Sequence, residues 1–125
     1  MNLLLAHLVG DYILQTDWMA TQKKWSSYVC MVHALTYTIP FVFCGFLWWQ
    51  LLLVVLQHFF QDRSGFVVWF MEVKGSGSFA TGPLAPWSVI VTDNILHLLW
   101  VVLVAHLPII VEAVRIWLVW NHPLF

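Results

Sequence analysis

The fold class predicted by this sequence is all-α: an integral-membrane helical bundle with about four transmembrane helices plus interfacial helices. Three observations predict it. The 125-residue chain is 62% hydrophobic and only 9% charged, whereas soluble domains carry about 25% charged residues. Apolar stretches of helical length alternate with short polar or glycine- and proline-rich connections. Within those stretches a histidine and an aspartate recur four residues apart, as His7/Asp11, His58/Asp62 and, in reverse order, Asp93/His97. That spacing sets both side chains on one helix face, a turn apart. A single membrane-embedded domain over residues 1–125 is expected, with a flexible loop at about 74–86.

A first helix is predicted from about Asn2 to Ala20. It lacks the basic start of a signal peptide, and His7, Asp11 and Gln15 interrupt its apolar run, so it is expected to be retained. The polar TQKKWSS stretch follows. A second helix runs from about Ser26 toward Phe43, kinked near Pro40. After a tight turn at Cys44-Gly45, a third spans about Phe46 to Asp62. The RSGFVVWFMEVK segment reads as a short amphipathic helix on the membrane surface, and GSGSFATGPLAP as a loop. A fourth membrane helix is expected from about Trp87 to His106. Pro108 should start a last helix, ending near Trp120, that is interfacial or crosses again; interfacial is preferred. Spans need about 20 residues, so these helices are marginal in length.

Lys23, Lys24, Arg63 and Lys74 all fall in connections on one side, which the positive-inside rule makes cytoplasmic. Helices one and three run toward that side, so Asp11 and Asp62 lie a turn nearer to it than His7 and His58. The fourth helix runs the other way, and its reversed order again sets Asp93 nearer that side than His97. Three aspartates thus form one layer and three histidines a deeper one, with His33 at a compatible depth in the second helix. Scattered polar residues would have no reason to agree in depth.

Ionisable groups in such segments are expensive to bury and read as functional. The candidate metal ligands are His7, Asp11, His33, His58, Asp62, Asp93 and His97. Histidine with carboxylate suits zinc first, with manganese or magnesium as alternatives. A lone buried histidine is more often a hydrogen-bonded core residue than a ligand. Seven groups on four helices at matched depth favour a one- or two-metal site over a plain polar network, which stabilises poorly. Asp11, Asp62, Asp93 and Gln15 are the candidate catalytic residues. A non-ligating carboxylate can act as general base, and Gln15 can hold a ligand carboxylate or substrate, or simply end its helix. Asp17 reads as solvated or paired with Lys23 or Lys24. Thr36 either lines the His33 face or bonds its own backbone. His106 and His122 read as interfacial helix-end residues, and Cys30 and Cys44 as packing residues. A net charge of −1 excludes a nucleic-acid binder driven by phosphate contacts.

The run AHLVGDYILQTDWMA, the HALTYT segment, the His58/Asp62 pair and TDNILHLLW together resemble a family of small bacterial and phage membrane proteins known only as a domain of unknown function. The resemblance covers most of the chain. It carries His7, Asp11, Gln15, Asp17, His33, His58, Asp62, Asp93 and His97 as motif residues, and Asn94 stands where glutamine is expected. His7-Leu-Val-Gly-Asp11 is also similar to the His-x-x-Gly-Asp run of helical zinc phospholipases C and fungal zinc nucleases. That similarity, shared in flavour with inner-membrane metal-dependent hydrolases, implies cleavage of phosphate esters.

The expected function is a metal-dependent hydrolase of the bacterial inner membrane acting on a lipid or lipid-linked phosphate ester. Its ion would activate water and neutralise phosphoryl charge. The alternative is a non-enzymatic module: an ion, proton or metal channel or carrier, or a phage-type protein that binds a host membrane partner. Homo-oligomerisation fits either reading.

Overall fold

The computed structural model describes residues 1–121; His122, read above as an interfacial residue, lies outside them. Among these residues the chain is helical and contains no strand. Helix α1 (Leu3–Leu8) opens with Asn2 Oδ1 accepting from Leu4 N at 2.8 Å and continues as a π-helical turn over Val9–Ile13. Then follow α2 (Asp17–Gln22), α3 (Ser27–Val42), α4 (Trp48–Arg63), α5 (Phe66–Val73), α6 (Gly77–Thr81) and α7 (Trp87–Asn121). Helices α3 and α4 form an antiparallel hairpin about a turn in which Gly45 takes a φ of 82°. Helices α1 and α7 pack on that hairpin, and α5 and α6 close over the end where α4 stops and α7 begins. The main apolar core is Ala6, Tyr37, Phe41, Val54, Val101 and Val104.

The first helix is not continuous to Ala20. It ends at Ile13, and a new helix starts after Thr16, whose Oγ1 accepts from Met19 N at 3.3 Å. The π turn lies against α3. A Cβ on Gly10 would lie 2.7 Å from both Tyr37 O and Tyr37 Cδ2, so the bare backbone of the turn rests directly on α3. A π turn widens the helix by one residue per bond, seen in Leu14 N→Val9 O at 2.9 Å, and such turns favour functional sites.

The break expected at Pro108 is absent, and α7 runs through it as one helix of 35 residues. Proline removes the N–H that would bond to the carbonyl four residues earlier. That carbonyl, Val104 O, instead accepts from the Gln50 side-chain Nε2 at 2.8 Å, while Gln50 Oε1 accepts from Leu47 N at 2.9 Å. A side chain from α4 replaces the missing backbone donor, as happens in proline-containing helices of membrane proteins. His106 consequently sits well inside α7, exposed, with its ring bonded to Val102 O at 2.8 Å, rather than at a helix end.

Among the described helices only α7 is long and apolar enough to cross a membrane; Leu3–Ile13 and Ser27–Val42 are apolar but shorter. At about 1.5 Å per residue, the 16 residues of α3 reach ~24 Å, short of a ~30 Å hydrocarbon layer. The architecture is thus an all-helical bundle with one candidate span, and the four-span expectation is not met by helix length. The second half of α7, from Pro108 onward, is exposed along its length.

Candidate metal centre

Four elements carry the site. The π turn supplies Asp11, α3 supplies His33 and Tyr37, α4 supplies His58, Gln61 and Asp62, and α7 supplies Asp93, Asn94 and His97. Gly10 sets the first of these: because its backbone touches Tyr37, the next residue reaches the His33 ring one turn earlier on α3. Asp11 Oδ1 lies 3.2 Å from His33 Nε2 and 3.7 Å from His58 Nε2. Asp62 Oδ2 lies 3.2 Å from each of the same two nitrogens, which are themselves 3.0 Å apart.

Asp11, His33, His58 and Asp62 each offer a ligand atom within 4.8 Å of the others, and all four residues are buried. In a tetrahedral zinc site with bonds of ~2.0–2.1 Å, ligand atoms stand about 3.3 Å apart. The distances here bracket that value, and two imidazole nitrogens with two carboxylates form a suitable donor set. This cluster could hold a metal ion. Asp62, Asp93 and His97 make a second group of the same kind, so Asp62 belongs to both.

The aspartates and histidines of the motif differ in their access to the cavity. Asp11, Asp62 and Asp93 line a cavity of about 300 Å³, while His7, His33, His58 and His97 lie beneath it, at most 1% exposed. Gln15 also lines the cavity, and its buried Oε1 has no hydrogen-bond partner in the protein. A polar atom left so is costly unless something from outside satisfies it.

His7 stands apart from both ligand groups. Its Nε2 donates to Asn94 Oδ1 at 2.9 Å, and its Nδ1 accepts from the Tyr37 hydroxyl at 2.8 Å. The amide orientation of Asn94 follows from its Nδ2 donating to Ile90 O and Tyr12 Oη, each at 2.7 Å. Both ring nitrogens of His7 are therefore engaged in a bond set suited to a neutral ring. Thr36 donates to Val32 O and His33 O, the backbone alternative of its two readings. Asp17 is exposed.

Four participants were not singled out from the sequence. Lys23 Nζ lies 2.8 Å from Asp62 Oδ2 and 3.2 Å from His33 Nε2. Burial works against its charge, yet the Asp62 and Asp11 carboxylates outweigh that and hold its pKa above the ordinary lysine value. Read as a membrane-side loop residue, it is carried back over the site by α2. Tyr37, one turn after His33, stacks on the His58 ring with centroids 3.8 Å apart. Gln61 Nε2 donates to Asp93 Oδ1 at 2.7 Å and to His97 Nδ1 at 3.0 Å. Asn94 fixes His7. Tyr37, Gln61 and Asn94 each sit beside or a turn from a motif residue, which is the signal that could have found them.

Of the basic connection residues, Lys24 and Arg63 meet. Arg63 Nη1 donates to Lys24 O at 2.7 Å and its Nε to Ser27 Oγ at 3.2 Å, joining the end of α4 to the connection before α3.

The chain belongs to the family described as "Protein of unknown function (DUF3307)", which matches residues 1–124. No curated protein and no solved structure matches it.

Proposed function

We propose that this protein is a membrane-embedded, metal-dependent hydrolase that cleaves the phosphate ester of a lipid or lipid-linked substrate at the cytoplasmic leaflet of the bacterial inner membrane. The observation that carries the reading is the convergence of His33, His58, Asp11 and Asp62 beneath a cavity whose wall also holds Lys23 and Lys24. Ligands below and cations above are what a phosphoryl group requires.

Multi-pass embedding with thin, tilted spans is supported by an inverted distribution of polarity. The buried set includes His7, Asp11, His33, Gln50, His58, Gln61, Asp62 and His97. The exposed set includes Leu35 and Ile39 on α3, Leu52, Leu56 and Phe60 on α4, and Leu99 and Leu103 on α7. Apolar exteriors of this extent around a polar interior suit lipid rather than water.

When bound, a divalent ion, zinc by the donor set and manganese or magnesium as alternatives, would activate water and neutralise developing phosphoryl charge. Lys24, exposed at the cavity, is placed to draw in an anionic headgroup, and Gln15 Oε1 to accept a hydrogen bond from it. Asp93 is the base: its side chain is 24% exposed to the cavity, and Gln61 holds Oδ1, which leaves Oδ2 for a proton. Asp93 takes a proton from water as the oxygen attacks phosphorus, the ester P–O bond breaks, and the proton passes to the departing alcohol.

One observation favours a second reading. The Lys23 ammonium already contributes a positive charge beside Asp62 and His33, as an ion or proton carrier without a resident metal would need. Elemental mass spectrometry of detergent-purified protein, beside an Asp62→Asn variant, separates the two. Near-stoichiometric metal, lost in the variant and accompanied by release of phosphate from lipid phosphoesters, is the expected result. A folded protein that takes up no zinc, manganese or magnesium overturns the hydrolase and turns the question to ion flux.

A further inference from the structure

A second concavity lies on the apolar outer face between α4, the start of α5 and α7, with a volume of about 380 Å³. Phe60, Phe66, Leu99 and Leu103 form its walls. Gln57 and Gln61 are the polar side chains lining it among the described residues, and they are bonded to each other, Gln57 Nε2 donating to Gln61 Oε1 at 2.6 Å. Gln61 lines the polar cavity as well. Its Nε2 reaches Asp93 and His97, so one amide side chain separates the groove from the candidate catalytic carboxylate. Both spaces fall at the lower end of the volumes that small ligands occupy, about 300–1,000 Å³.

We propose that the groove and the cavity form one amphiphile site: the groove holds the hydrocarbon chain of a single anionic lipid phosphate, and the cavity holds its headgroup. The inference rests on the hydrolase reading for the identity of the headgroup. It goes beyond it in assigning the chain a site and the substrate a lateral route past Gln61. Three features of the structure support this occupant. The groove is divided from the cavity by the Gln61 side chain rather than by backbone. Its lining is apolar except at that junction, which suits a chain with one polar end. The far side of the junction carries Lys24 beside the candidate metal ligands; with a divalent ion bound there, this end would complement a phosphate and be indifferent to an uncharged headgroup.

The test is photo-crosslinking of the detergent-purified full chain with a long-chain alkyl phosphonate that bears a diazirine at its chain end, with labelled residues mapped by mass spectrometry. Labelling is expected at Leu96–Leu103, suppressed by excess unlabelled phosphonate but not by the alcohol of equal chain length. One charge-assisted contact to the headgroup is worth roughly tenfold in occupancy. Leu99→Trp, at a residue 60% exposed, should fill the groove and abolish this labelling while metal content stays unchanged. Equal labelling of Leu35 and Ile39 on α3, with no headgroup preference, overturns the proposal, because the groove is then ordinary lipid-facing surface. Absence of groove labelling in a sample that sediments as a dimer overturns it too and assigns the groove to a second copy. Hydrolysis of a short-chain ester without groove labelling would sink this inference and leave the hydrolase standing; groove labelling in a metal-free, inactive protein would do the reverse.

Discussion

Gln50 offers the sharpest test of how this fold tolerates Pro108, and the expected energies follow from two bonds. Gln50 is 5% exposed and Val104 fully buried; Gln50 Nε2 gives Val104 O its 2.8 Å bond. Gln50→Leu keeps the volume and strands that carbonyl, at a cost of about 1–3 kcal/mol. It also removes the Oε1 acceptor of Leu47 N, a smaller loss, since Leu47 is exposed at the start of α4 and water can substitute. In a Pro108→Ala background the new N–H bonds to Val104 O within the helix, so Gln50→Leu should then cost only the Leu47 part. The double-mutant cycle should show a coupling of ~1–2 kcal/mol, well above the ~0.3–0.5 kcal/mol scatter of independent sites. Unfolding of the four proteins in one detergent by a single denaturant series measures it. Costs that add within that scatter would refute the idea that Gln50 acts as the surrogate donor, and the continuity of α7 would need another cause.

The remaining predictions concern the site. Asp62→Asn should empty both candidate metal groups at once, since both contain Asp62, whereas His106→Ala should leave bound metal unchanged; equal metal content in the two variants would disprove the ligand assignment. Gly10→Ala drives a methyl group to 2.7 Å from a backbone oxygen of α3, which cannot rotate away. A loss of about 1–3 kcal/mol in unfolding stability is expected, along with weaker metal uptake as Asp11 is displaced; wild-type values for both would contradict the packing account. Tyr37→Phe keeps the ring on His58 but deletes the hydroxyl bonded to His7. It should lower stability by ~1 kcal/mol and leave metal content intact, and a loss of metal would show that His7 belongs to the ligand shell.

The helical class, the hairpin of α3 and α4, and the convergence of His33, His58 and His97 with Asp11, Asp62 and Asp93 were legible because they follow from spacing alone. A residue four positions away must share a face, and an antiparallel neighbour must reverse the order, whatever the tertiary detail. What was not legible depended on partners distant in sequence. Nothing near Pro108 announces that Gln50, 58 positions earlier, will supply its missing donor. Nothing in the apolar opening run says that Gly10 will meet α3 within a π turn. Lys23 looked like an orientation signal because its neighbours Gln22 and Lys24 are loop-like; only the short return through α2 carries its ammonium to Asp62. Four-residue spacing groups His7 with His58 as a ligand candidate, but satisfaction of polar atoms sets it apart: Tyr37 and Asn94 already use both of its nitrogens.

The charge arrangement bears on why such an interior persists. Asp11 and Asp62 are buried and Asp93 mostly so, while Lys23 is the ammonium that reaches into the cluster. With neutral histidines, that leaves two negative charges uncompensated inside the bundle. Burying a charge without compensation costs several kcal/mol per ion, and hydrophobic residues of similar volume would hold the helices together at least as well. Stability alone therefore does not account for the arrangement. One divalent cation, or protons on two of the histidines facing these carboxylates, restores the balance, and the atoms placed to receive a cation are those around His33 and His58. Hydrogen bonding alone would give similar spacing; the feature a structural network does not need is a cavity opening onto the carboxylates.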